Sequence, residues 1–527
     1  MTPAITGRDR QLAQLRDGKP WDVVIIGGGA SGLGAAVDAA ARGFRTLLVE
    51  ARDFASGTSS CSTKLIHGGV RYLRQGDIRL VRAALHERAY LLQNAAHLVH
   101  PLPFVILARR TVDRLFYTAG LKLYDLLAGG HALPVSRSLN RAEILDALPG
   151  INPAGVCGGI RYWDGQFDDA RLAITLMRTA SDLGATCINY LPLIRLTRNK
   201  DRIAGAALKN AESGEEFAVT ARVIINATGV HADRIRRLDD PETPSLLSPS
   251  QGIHLVLNAE FLPGQQALLI PETDDGRVMF AIPWHGKLLL GTTDTPRPDL
   301  QQLDDPQALD EEIDFLLRSA AGVLNRVPSR RDIRSAFAGL RPLIHPENND
   351  GMHTAALSRE HAVLVSTSGL ITVTGGKWTS YRLMAEQVID RAIQVGKLTA
   401  TPCLTRNLKL RGCPDTPGND VYGTDAPELL TLPGHDRRLH PALPYTEAMV
   451  RYAFRHEAAR TIEDILARRT RALLLDASAA ADCIERVGQI LAEELQPTPQ
   501  QMSAMIETAR SAVRRFGVQT QTPPDFA

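Results

Sequence analysis

Gly27, Gly29 and Gly32 form the pattern G-x-G-x-x-G near the N-terminus, and Glu50 ends the next apolar run. In such a loop the first glycine permits a tight turn, the second lets the backbone approach a pyrophosphate, and the third lets a helix pack on a strand. The acid accepts hydrogen bonds from ribose hydroxyls, which favours FAD or NAD over NADP. The spacing leaves FAD and NAD open.

The elements around these residues are those that a phosphate-binding loop needs. Residues 23–26 are a short apolar β-branched run, typical of a buried parallel strand. The Ala-rich run 30–42 predicts a helix that ends at Gly43, and residues 46–49 predict a second strand. The helix N-terminus offers N–H groups and a positive dipole end to phosphates. This order favours a dinucleotide site over an unrelated glycine-rich turn.

A polar loop follows, and its composition has two interpretations. Residues 56–63 carry six hydroxyl side chains together with Gly57. Such a loop suits the second phosphate and the ribitol chain of a flavin cofactor, but it suits a solvated surface loop equally well.

Two later turns also follow short apolar strands. Residues 223–225 run into the turn 226–229, and residues 371–373 run into 374–377. Ligands gather at the carboxyl ends of strands in open α/β sheets. Apolar residues recur at helical spacing after the second turn, so Lys377 is predicted at a helix N-terminus, where it can stabilise the negative charge of a reduced flavin. An ordinary turn and a solvated lysine are the alternatives.

Composition and charge exclude several classes of protein. Sixty Lys and Arg against 58 Asp and Glu give a net charge of +2, and only 5% of residues are aromatic, which argues against a nucleic-acid partner. The six cysteines form no C-x-x-C pair, so we expect no metal site and reduced, cytosolic thiols. No run of about 18 apolar residues predicts a spanning helix, and the polar N-terminus predicts no secretory signal.

Five longer segments carry a more specific signal. They are GGGASG, TSSCSTKLIHGGVRYL, VIINATGVHADRI, SAFAGLRPL and TVTGGKWTSYR. In order and spacing they resemble the FAD-dependent glycerol-3-phosphate dehydrogenases, from about residue 20 to about residue 515. The first motif occurs in many flavoproteins, whereas the runs 64–73 and 339–343 are particular to this family. The resemblance implies FAD, and oxidation of sn-glycerol 3-phosphate to dihydroxyacetone phosphate by hydride transfer to the flavin.

Together with the patterns above, the resemblance implies a set of cofactor-binding residues. They are Gly27, Gly28, Gly29, Ser31, Gly32, Glu50, Ala51, Thr58, Ser59, Ser62, Thr63, Lys64, His67, Gly68, Ala227, Thr228, Gly229, Gly376 and Lys377.

The implied reaction needs cations for a phosphate dianion and a base for the proton of the C2 hydroxyl. Arginine suits phosphate because its planar fork matches the phosphate oxygens. The resemblance assigns the substrate to Arg71, Tyr72, His254, Arg341 and Lys377. For the base we consider His67, His254 and Lys377, and we prefer His254, with Arg341 and Lys377 polarising the oxygen. A lone histidine beside an apolar strand is more often structural, so the choice stays open.

The pattern along the chain predicts an α/β fold, in which an FAD-binding Rossmann-like domain is interleaved with an antiparallel-sheet substrate domain and followed by a C-terminal helical domain. The first is expected over 20–245, with interleaved segments and a return at 369–400. The runs HLVL, ALLI, VMFAIP, KLLLGTTD and HAVLV predict the antiparallel sheet over 246–368. Residues 405–445 are typical of a linker, and helical patterns follow, so the last domain is 405–527.

The resemblance also implies where the electrons go. The tail holds only Cys483, which argues against an iron–sulfur partner, and most other members reduce a membrane quinone while lying on the bilayer surface. The helix predicted over 113–129 suits a lipid surface, although a core helix is the alternative. Its apolar face and its flanking cations are Leu115, Ala119, Leu123, Leu126 and Leu127, and Arg109, Arg110, Arg114 and Lys122. We expect a cytoplasmic homodimer, peripheral on the inner face of the cell membrane.

Three other functions are open from the sequence. A glycerol-phosphate oxidase would use oxygen; a long insertion would favour it, and we find none. An amine or amino-acid oxidase would recognise a carboxylate, and the pair Arg71 and Arg341 does not decide between carboxylate and phosphate. A flavin-binding scaffold without catalysis is disfavoured because the flavin-facing charges are present.

Overall fold

The structure is a computed structural model. It describes residues 7–70, 73, 76–131, 133–271, 273, 276–297, 303–345, 361–416, 418 and 420–518. Arg71 and Tyr72, both predicted to bind the substrate, lie outside the described residues.

Strands and helices are both present up to residue 375, and the described elements after it are helices. The strands are β1 (Trp21–Ile26), β2 (Thr46–Val49), β3 (Leu65–Ile66), β4 (Val99–Ala108), β5 (Arg137–Asn140), β6 (Gly158–Phe167), β7 (Thr186–Ile188), β8 (Leu193–Asn199), β9 (Arg202–Lys209), β10 (Glu216–Asn226), β11 (Ser250–Asn258), β12 (Ala267–Ile270), β13 (Met279–Trp284), β14 (Lys287–Gly291), β15 (Thr295–Pro296), β16 (Ser335–Arg341), β17 (His361–Val365) and β18 (Ile371–Gly375). The helices are α1 (Gly7–Arg16), α2 (Ala30–Ala41), α3 (Ile78–Asn94), α4 (Thr111–Ala128), α5 (Arg141–Ala147), α6 (Asp169–Asp182), α7 (Ala232–Asp239), α8 (Asp310–Ala321), α9 (Tyr381–Gly396), α10 (Ala426–Leu430), α11 (Glu447–His456), α12 (Ala472–Leu475), α13 (Ala477–Leu495) and α14 (Pro499–Phe516). A π-helix covers Asp464–Arg469.

The first sheet is built around β1, with helices packed against it. Its order is β17-β18-β10-β1-β2-β7, and β9 and β8 continue from β10. Strand β1 pairs in parallel with β10 on one side and β2 on the other, and all of it except Asp22 is buried. The predicted unit of strand, glycine turn, helix and strand is confirmed, and with it the α/β fold class. The carboxyl end of β1 is therefore a switch point, where such sheets bind ligands.

The second sheet is mostly antiparallel and has the order β15-β11-β14-β13-β12-β4-β6-β3, with β16 on β11 and β5 on β6. Its make-up differs from the prediction in two ways. Strands β3–β6, which lie well before residue 246, belong to it, because β4 and β6 pair along their whole length and β4 pairs with β12. Strand β17, the HAVLV run, instead forms a hairpin with β18 in the first sheet. The domain boundaries themselves stay a prediction.

The described residues after 446 are helical, as predicted, and they share a core with the second sheet. Phe104 of β4 and Tyr162 of β6 belong to the same apolar cluster as Ile462 and Leu466. The segment 405–445, predicted as a linker, consists mainly of turns with the short helix α10. The C-terminal helices are therefore packed onto the body of the protein.

Helix α4 lies on the surface and presents an apolar stripe outward. Val112, Leu115, Phe116 and Leu126 are 73%, 64%, 60% and 75% exposed, while the opposite side of the helix is buried through Leu121, Tyr124 and Ala128. Ala119 and Leu123 are exposed with the stripe, and Leu127 is half-buried. The core-helix alternative therefore accounts for only one side of α4. No helix in the described part of the chain is long and apolar enough to cross a membrane.

Candidate active site

The glycine loop after β1 contains glycines that are required for two different reasons. Gly27 has φ +113°, and a Cβ atom there would lie 2.5 Å from the carbonyl oxygen of Ala227. A Cβ atom on Gly32 would lie 1.9 Å from the carbonyl oxygen of Gly27, so both are required by the protein's own packing. At Gly29, the N-cap of α2, an added Cβ would meet only Ser59 Oγ, at 3.1 Å. The space before Gly29 thus suits a ligand's pyrophosphate.

Glu50 lies at the end of β2, beside the glycine loop. Its Oε2 accepts a hydrogen bond from the Gly28 N–H at 2.6 Å, and its Oε1 accepts one from the Arg52 N–H at 2.8 Å. Burial raises the pKa of Glu50, and these two backbone hydrogen bonds oppose that shift. Each carboxylate oxygen can accept a further hydrogen bond, so Glu50 can still bind ribose hydroxyls.

The hydroxyl-rich loop 56–63 lines the cavity and is tied to its walls. Ser59 Oγ accepts a hydrogen bond from the Ala30 N–H at 2.9 Å, and Thr58 Oγ1 donates to the Leu340 carbonyl at 2.6 Å. Trp378 Nε1 donates to the Ser59 carbonyl at 2.9 Å. These bonds join α2, β16 and the turn before α9, which argues against the solvated-loop interpretation.

Lys64 and Gly68 lie behind the cavity wall. Lys64 is fully buried, and its Nζ donates to Asp169 at 2.7 Å and to the Ser60 carbonyl at 2.6 Å. Ser62 Oγ donates to the same carboxylate at 2.7 Å. The Gly68 N–H donates to Tyr124 Oη, and a Cβ atom there would lie 2.6 Å from that oxygen. Lys64 therefore holds the loop 56–63 in place through Ser60 and Asp169, without lining the cavity.

One cavity of about 1070 Å³ brings most of the predicted site residues together. That volume suits a large cofactor with a small substrate beside it. The predicted residues that line it are Gly27, Gly29, Ser31, Glu50, Ala51, Thr58, Ser59, Ser62, Thr63, His67, Ala227, Thr228, Gly229, His254, Arg341, Gly376 and Lys377. Gly28, Gly32, Lys64 and Gly68 do not line it.

His254 lies on β11, between β14 and β16, opposite Gly291 and Phe337. Its ring stacks on Phe337 with centroids 5.0 Å apart, and its Nε2 lies 3.1 Å from Thr63 Oγ1. A Cβ atom on Gly291 would lie 2.3 Å from the imidazole, so glycine there makes room for the ring. Burial, with smaller contributions from Lys64 and Arg341, holds the pKa of His254 well below its usual range. The imidazole is therefore neutral and able to accept a proton.

Arg341 ends β16, and its guanidinium is oriented by the segment that follows β14. Its Nη1 lies 3.2 Å from Asp294 Oδ1, while Nη2 donates to Thr292 Oγ1 at 3.1 Å and to the Thr293 carbonyl at 2.9 Å. The side chain is 24% exposed. Sequence reasoning missed the roles of Thr292 and Asp294. The polar run GTTD directly after the apolar run KLLL was the available signal.

Lys377 follows two glycines with positive φ, Gly375 (+79°) and Gly376 (+72°), at the carboxyl end of β18. It caps a 3₁₀ turn, Trp378–Ser380, that leads into α9. The positive φ of Gly376 is a backbone conformation that residues with side chains rarely adopt, so the turn favours glycine there. The predicted placement of Lys377 at a helix N-terminus agrees with this geometry.

Known proteins match this chain along most of its length. The sequence model of the FAD dependent oxidoreductases matches residues 22–382, and that of the C-terminal domain of alpha-glycerophosphate oxidase matches residues 419–502. The mitochondrial glycerol-3-phosphate dehydrogenases of Mesocricetus auratus and Homo sapiens are 39% and 38% identical to it, over 95% of this chain and 74% of theirs. The chain belongs to the FAD-dependent glycerol-3-phosphate dehydrogenases.

Two solved structures share the fold of this chain. The glycerol-3-phosphate dehydrogenase from Bacillus halodurans, complexed with FAD, has a TM-score of 0.79 at 27% identity, covering 98% of this chain and 100% of its own. The L-alpha-glycerophosphate oxidase from Mycoplasma pneumoniae has a TM-score of 0.57 at 17% identity, covering 74% and 98%, which shows the fold alone. FAD is the cofactor of this glycerol-3-phosphate dehydrogenase, and the predicted choice of FAD is confirmed.

Proposed function

We propose that the protein oxidises sn-glycerol 3-phosphate to dihydroxyacetone phosphate and passes the electrons to a membrane quinone. The observation that carries the proposal is the convergence of a neutral, buried imidazole and two cations on the cavity that holds the FAD loop. His254, Arg341 and Lys377 come from β11, β16 and the end of β18, and all three line that cavity. Bound FAD supplies the hydride acceptor.

Arg341 is the phosphate-binding group of the proposal. Asp294, Thr292 and the Thr293 carbonyl fix the plane of its guanidinium, so a phosphate meets a fork that is already oriented. Pre-orientation matters because less side-chain entropy is lost on binding. Arg71 and Tyr72, which belong to the family-specific run 64–73, remain predicted substrate-binding residues.

His254 is the proposed base for the C2 hydroxyl. Its ring stacks on Phe337, its Nε2 lies within hydrogen-bonding distance of Thr63 Oγ1, and Gly291 leaves the space that the ring fills. A phosphate dianion near the imidazole favours the protonated form, so substrate binding raises the pKa of His254 towards neutrality. The base is thus neutral before binding and more basic afterwards. Lys377 supports the reaction through its positive charge at the flavin end.

A panel of substrates tests this part of the proposal. The oxidised holoenzyme is assayed with glycerol 3-phosphate, with glycerol, and with glycine or sarcosine, using an artificial dye as the electron acceptor. We expect turnover with glycerol 3-phosphate and a kcat/KM lower by orders of magnitude for glycerol, which lacks the phosphate. Preferential oxidation of an amine would overturn the assignment in favour of the amine and amino-acid group.

The electron acceptor is proposed from the lining of the cavity. Part of that lining is apolar and includes residues of α4, among them Phe116 of the exposed stripe. The apolar side chains are Val70, Leu73, Phe104, Ile106, Phe116, Tyr117, Leu121, Leu123, Leu269, Val278 and Phe280. A lipophilic quinone suits such a lining better than a water-soluble acceptor does.

The exposed stripe of α4 supports contact with a lipid surface. Val112, Leu115, Phe116 and Leu126 project from the protein on one side, and Arg109 and Arg110 lie exposed at the start of the helix. An apolar face with cations at its edge binds the interface of an anionic bilayer. We propose that the protein lies on the inner face of the cell membrane as a homodimer, which light scattering of the detergent-solubilised enzyme would test.

The alternative acceptor is oxygen, as in the oxidase from Mycoplasma pneumoniae. The two are separated by reducing the enzyme with substrate under anaerobic conditions and then adding either a short-chain quinone or air-saturated buffer. We expect reoxidation by the quinone to be faster by at least an order of magnitude. Rapid reoxidation by oxygen with stoichiometric peroxide would identify an oxidase.

A further inference from the structure

Asp53 lies in the loop just after Glu50, and its buried carboxylate is held by two arginines of the C-terminal helical region. Oδ1 accepts hydrogen bonds from Arg469 Nη2 at 2.9 Å and from Asn189 Nδ2 at 3.1 Å. Oδ2 accepts from Arg468 Nε and, at 2.7 Å, from Arg469 Nη1. The carboxylate is 1% exposed. Asp53 is thus saturated by groups that lie far away in sequence.

The two arginines are themselves fixed within the C-terminal region. Arg469 Nη2 also donates to the Glu457 carbonyl at 2.8 Å, and Arg468 Nη2 donates to Asp464 Oδ1 at 2.8 Å. Both arginines belong to the π-helix Asp464–Arg469, an uncommon element that is frequently found at functional sites. Glu463 Oε1 also lies 3.7 Å from Arg468 Nη1, so three carboxylates surround the two guanidinium groups.

The cluster is connected to the cofactor cavity through the loop 50–53. The Leu191 N–H donates to the Glu50 carbonyl at 2.8 Å, and the Tyr190 N–H donates to the Arg52 carbonyl at 2.9 Å. Tyr190 Oη in turn donates to Asp464 Oδ1 at 2.6 Å. Arg468 also lines the cavity. The backbone that presents Glu50 is therefore held both at Asp53 and through Tyr190.

We propose that Arg468 and Arg469 are positioning residues for FAD, through which the C-terminal helical region holds the loop 50–53 in its cofactor-binding conformation. Burying four charges is costly, and apolar side chains of similar size would fill the same volume at least as favourably. Charged side chains are explained here if the exact position of the loop 50–53 matters more than the stability of its contact with the C-terminal region. Burial opposes ionisation of Asp53, but the positive charges of Arg469 and Arg468 outweigh it and lower the pKa of Asp53 to about 2. The Asp53 carboxylate therefore stays ionised at physiological pH.

The test is the dissociation constant of FAD, measured on apoprotein by the quenching of flavin fluorescence, with no substrate present. Asp53→Asn removes the carboxylate that both arginines share and leaves Arg469 without its ion-pair partner. We expect the dissociation constant to rise roughly tenfold or more, because an unpaired buried charge forces the loop to rearrange.

A matched control separates cofactor positioning from general destabilisation. Asp425, in the segment 405–445, also accepts hydrogen bonds from two arginines, from Arg178 Nη1 of α6 at 2.8 Å and from Arg411 Nε at 3.0 Å, and the side chains of Arg178 and Asp425 are 8% and 15% exposed. Asp425→Asn removes that shared carboxylate, without touching the loop 50–53 or the two arginines that hold Asp53. We expect a similar loss of thermal stability and an FAD dissociation constant within about twofold of wild type. Equal weakening of FAD binding by both variants, or by neither, would overturn the proposal.

A conservative pair of variants keeps the test decisive if Asp53→Asn does not fold. Arg469→Lys keeps the positive charge but loses the two-pronged contact with Asp53, and Arg178→Lys keeps the charge opposite Asp425 without the guanidinium fork. Weaker FAD binding only in the first supports positioning by Arg469. Weaker binding in both, in proportion to lost stability, contradicts it.

Discussion

At the glycine-loop end of the cavity the groups placed for the cofactor's pyrophosphate are glycines and backbone N–H groups of one continuous segment, whereas at the substrate end the groups are side chains from strands far apart in sequence. Residues 26–32 contain the turn, the N-cap of α2 and the space for the pyrophosphate. His254 and Arg341 meet only because β11 pairs with both β14 and β16. The first end depends on local conformation, and the second depends on the assembly of the second sheet.

The two ends of the cavity also differ in their charged groups. Among the described residues of the glycine loop no side chain carries charge, and phosphates would be bound by backbone dipoles. At the substrate end a buried imidazole, Lys64 and Arg341 lie near one another, and each cation contributes to lowering the pKa of His254. Substitutions at the two ends should therefore affect different quantities: FAD content at one end, and turnover with FAD retained at the other.

The largest effect is expected for Gly29→Val. An added side chain there meets little of the protein, so the apoprotein should fold, but the pyrophosphate position is blocked. We expect loss of FAD from the purified protein and no activity, with near-wild-type circular dichroism. Gly32→Val is the comparison variant: it clashes with the Gly27 carbonyl and should not fold at all. Purification of a yellow Gly29→Val protein with full occupancy would refute this account of the loop.

His254→Asn should lower kcat roughly 100- to 10,000-fold while FAD stays bound, because proton transfer by a positioned base contributes that much. The pH profile sharpens the test. Since the pKa of His254 lies well below its usual value, a fall in wild-type kcat/KM near a pH of about 6 should follow protonation of the substrate's phosphate dianion and not protonation of His254. The acid limb of kcat reports the enzyme–substrate complex, in which the bound dianion raises the pKa of His254. Identical acid limbs in wild type and variant would exclude His254 as the base.

Arg341→Ala should lower kcat/KM for glycerol 3-phosphate by about 3 to 4 kcal/mol, roughly 100- to 1000-fold, because charge-assisted hydrogen bonds to the phosphate are lost. Arg341→Lys keeps the charge without the fork and should recover part of the loss. FAD content and melting temperature control for structural damage. An unchanged kcat/KM in Arg341→Ala would remove Arg341 from the phosphate site.

The smallest effect is expected on the outer surface, where neither end of the cavity is touched. Replacing Val112 and Leu115 together by Ser should weaken binding to anionic phospholipid vesicles roughly tenfold, with dye-linked activity in solution unchanged, because neither residue lines the cavity. Replacing Val327 and Leu430 by Ser removes comparably exposed apolar side chains elsewhere, 57% and 66% exposed, and should have no such effect. Equal vesicle binding by the two double variants would show that the exposed stripe of α4 does not contribute specifically to lipid binding.

The same contrast between local and distant contacts explains how much of the molecule could be predicted. The strand, glycine turn, helix and acid were predictable because each lies within one segment, and hydrophobic periodicity reports it directly. The second sheet was only partly predictable. Strand β4 pairs with β12, and nothing in either segment alone indicates which strand it will pair with. The choice of His254 and Arg341 came from resemblance. Asp294, Thr292 and the contact of Asp53 with Arg469 depend on tertiary pairing that no spacing in the sequence reports.

The most direct test of the central claim is to add glycerol 3-phosphate anaerobically to the purified holoenzyme and record the visible spectrum of the flavin. We expect rapid, stoichiometric bleaching near the flavin maximum, with dihydroxyacetone phosphate formed in equal amount, and no bleaching by glycerol at the same concentration. A yellow protein that binds FAD and keeps its spectrum in the presence of glycerol 3-phosphate would show that glycerol 3-phosphate is not the substrate.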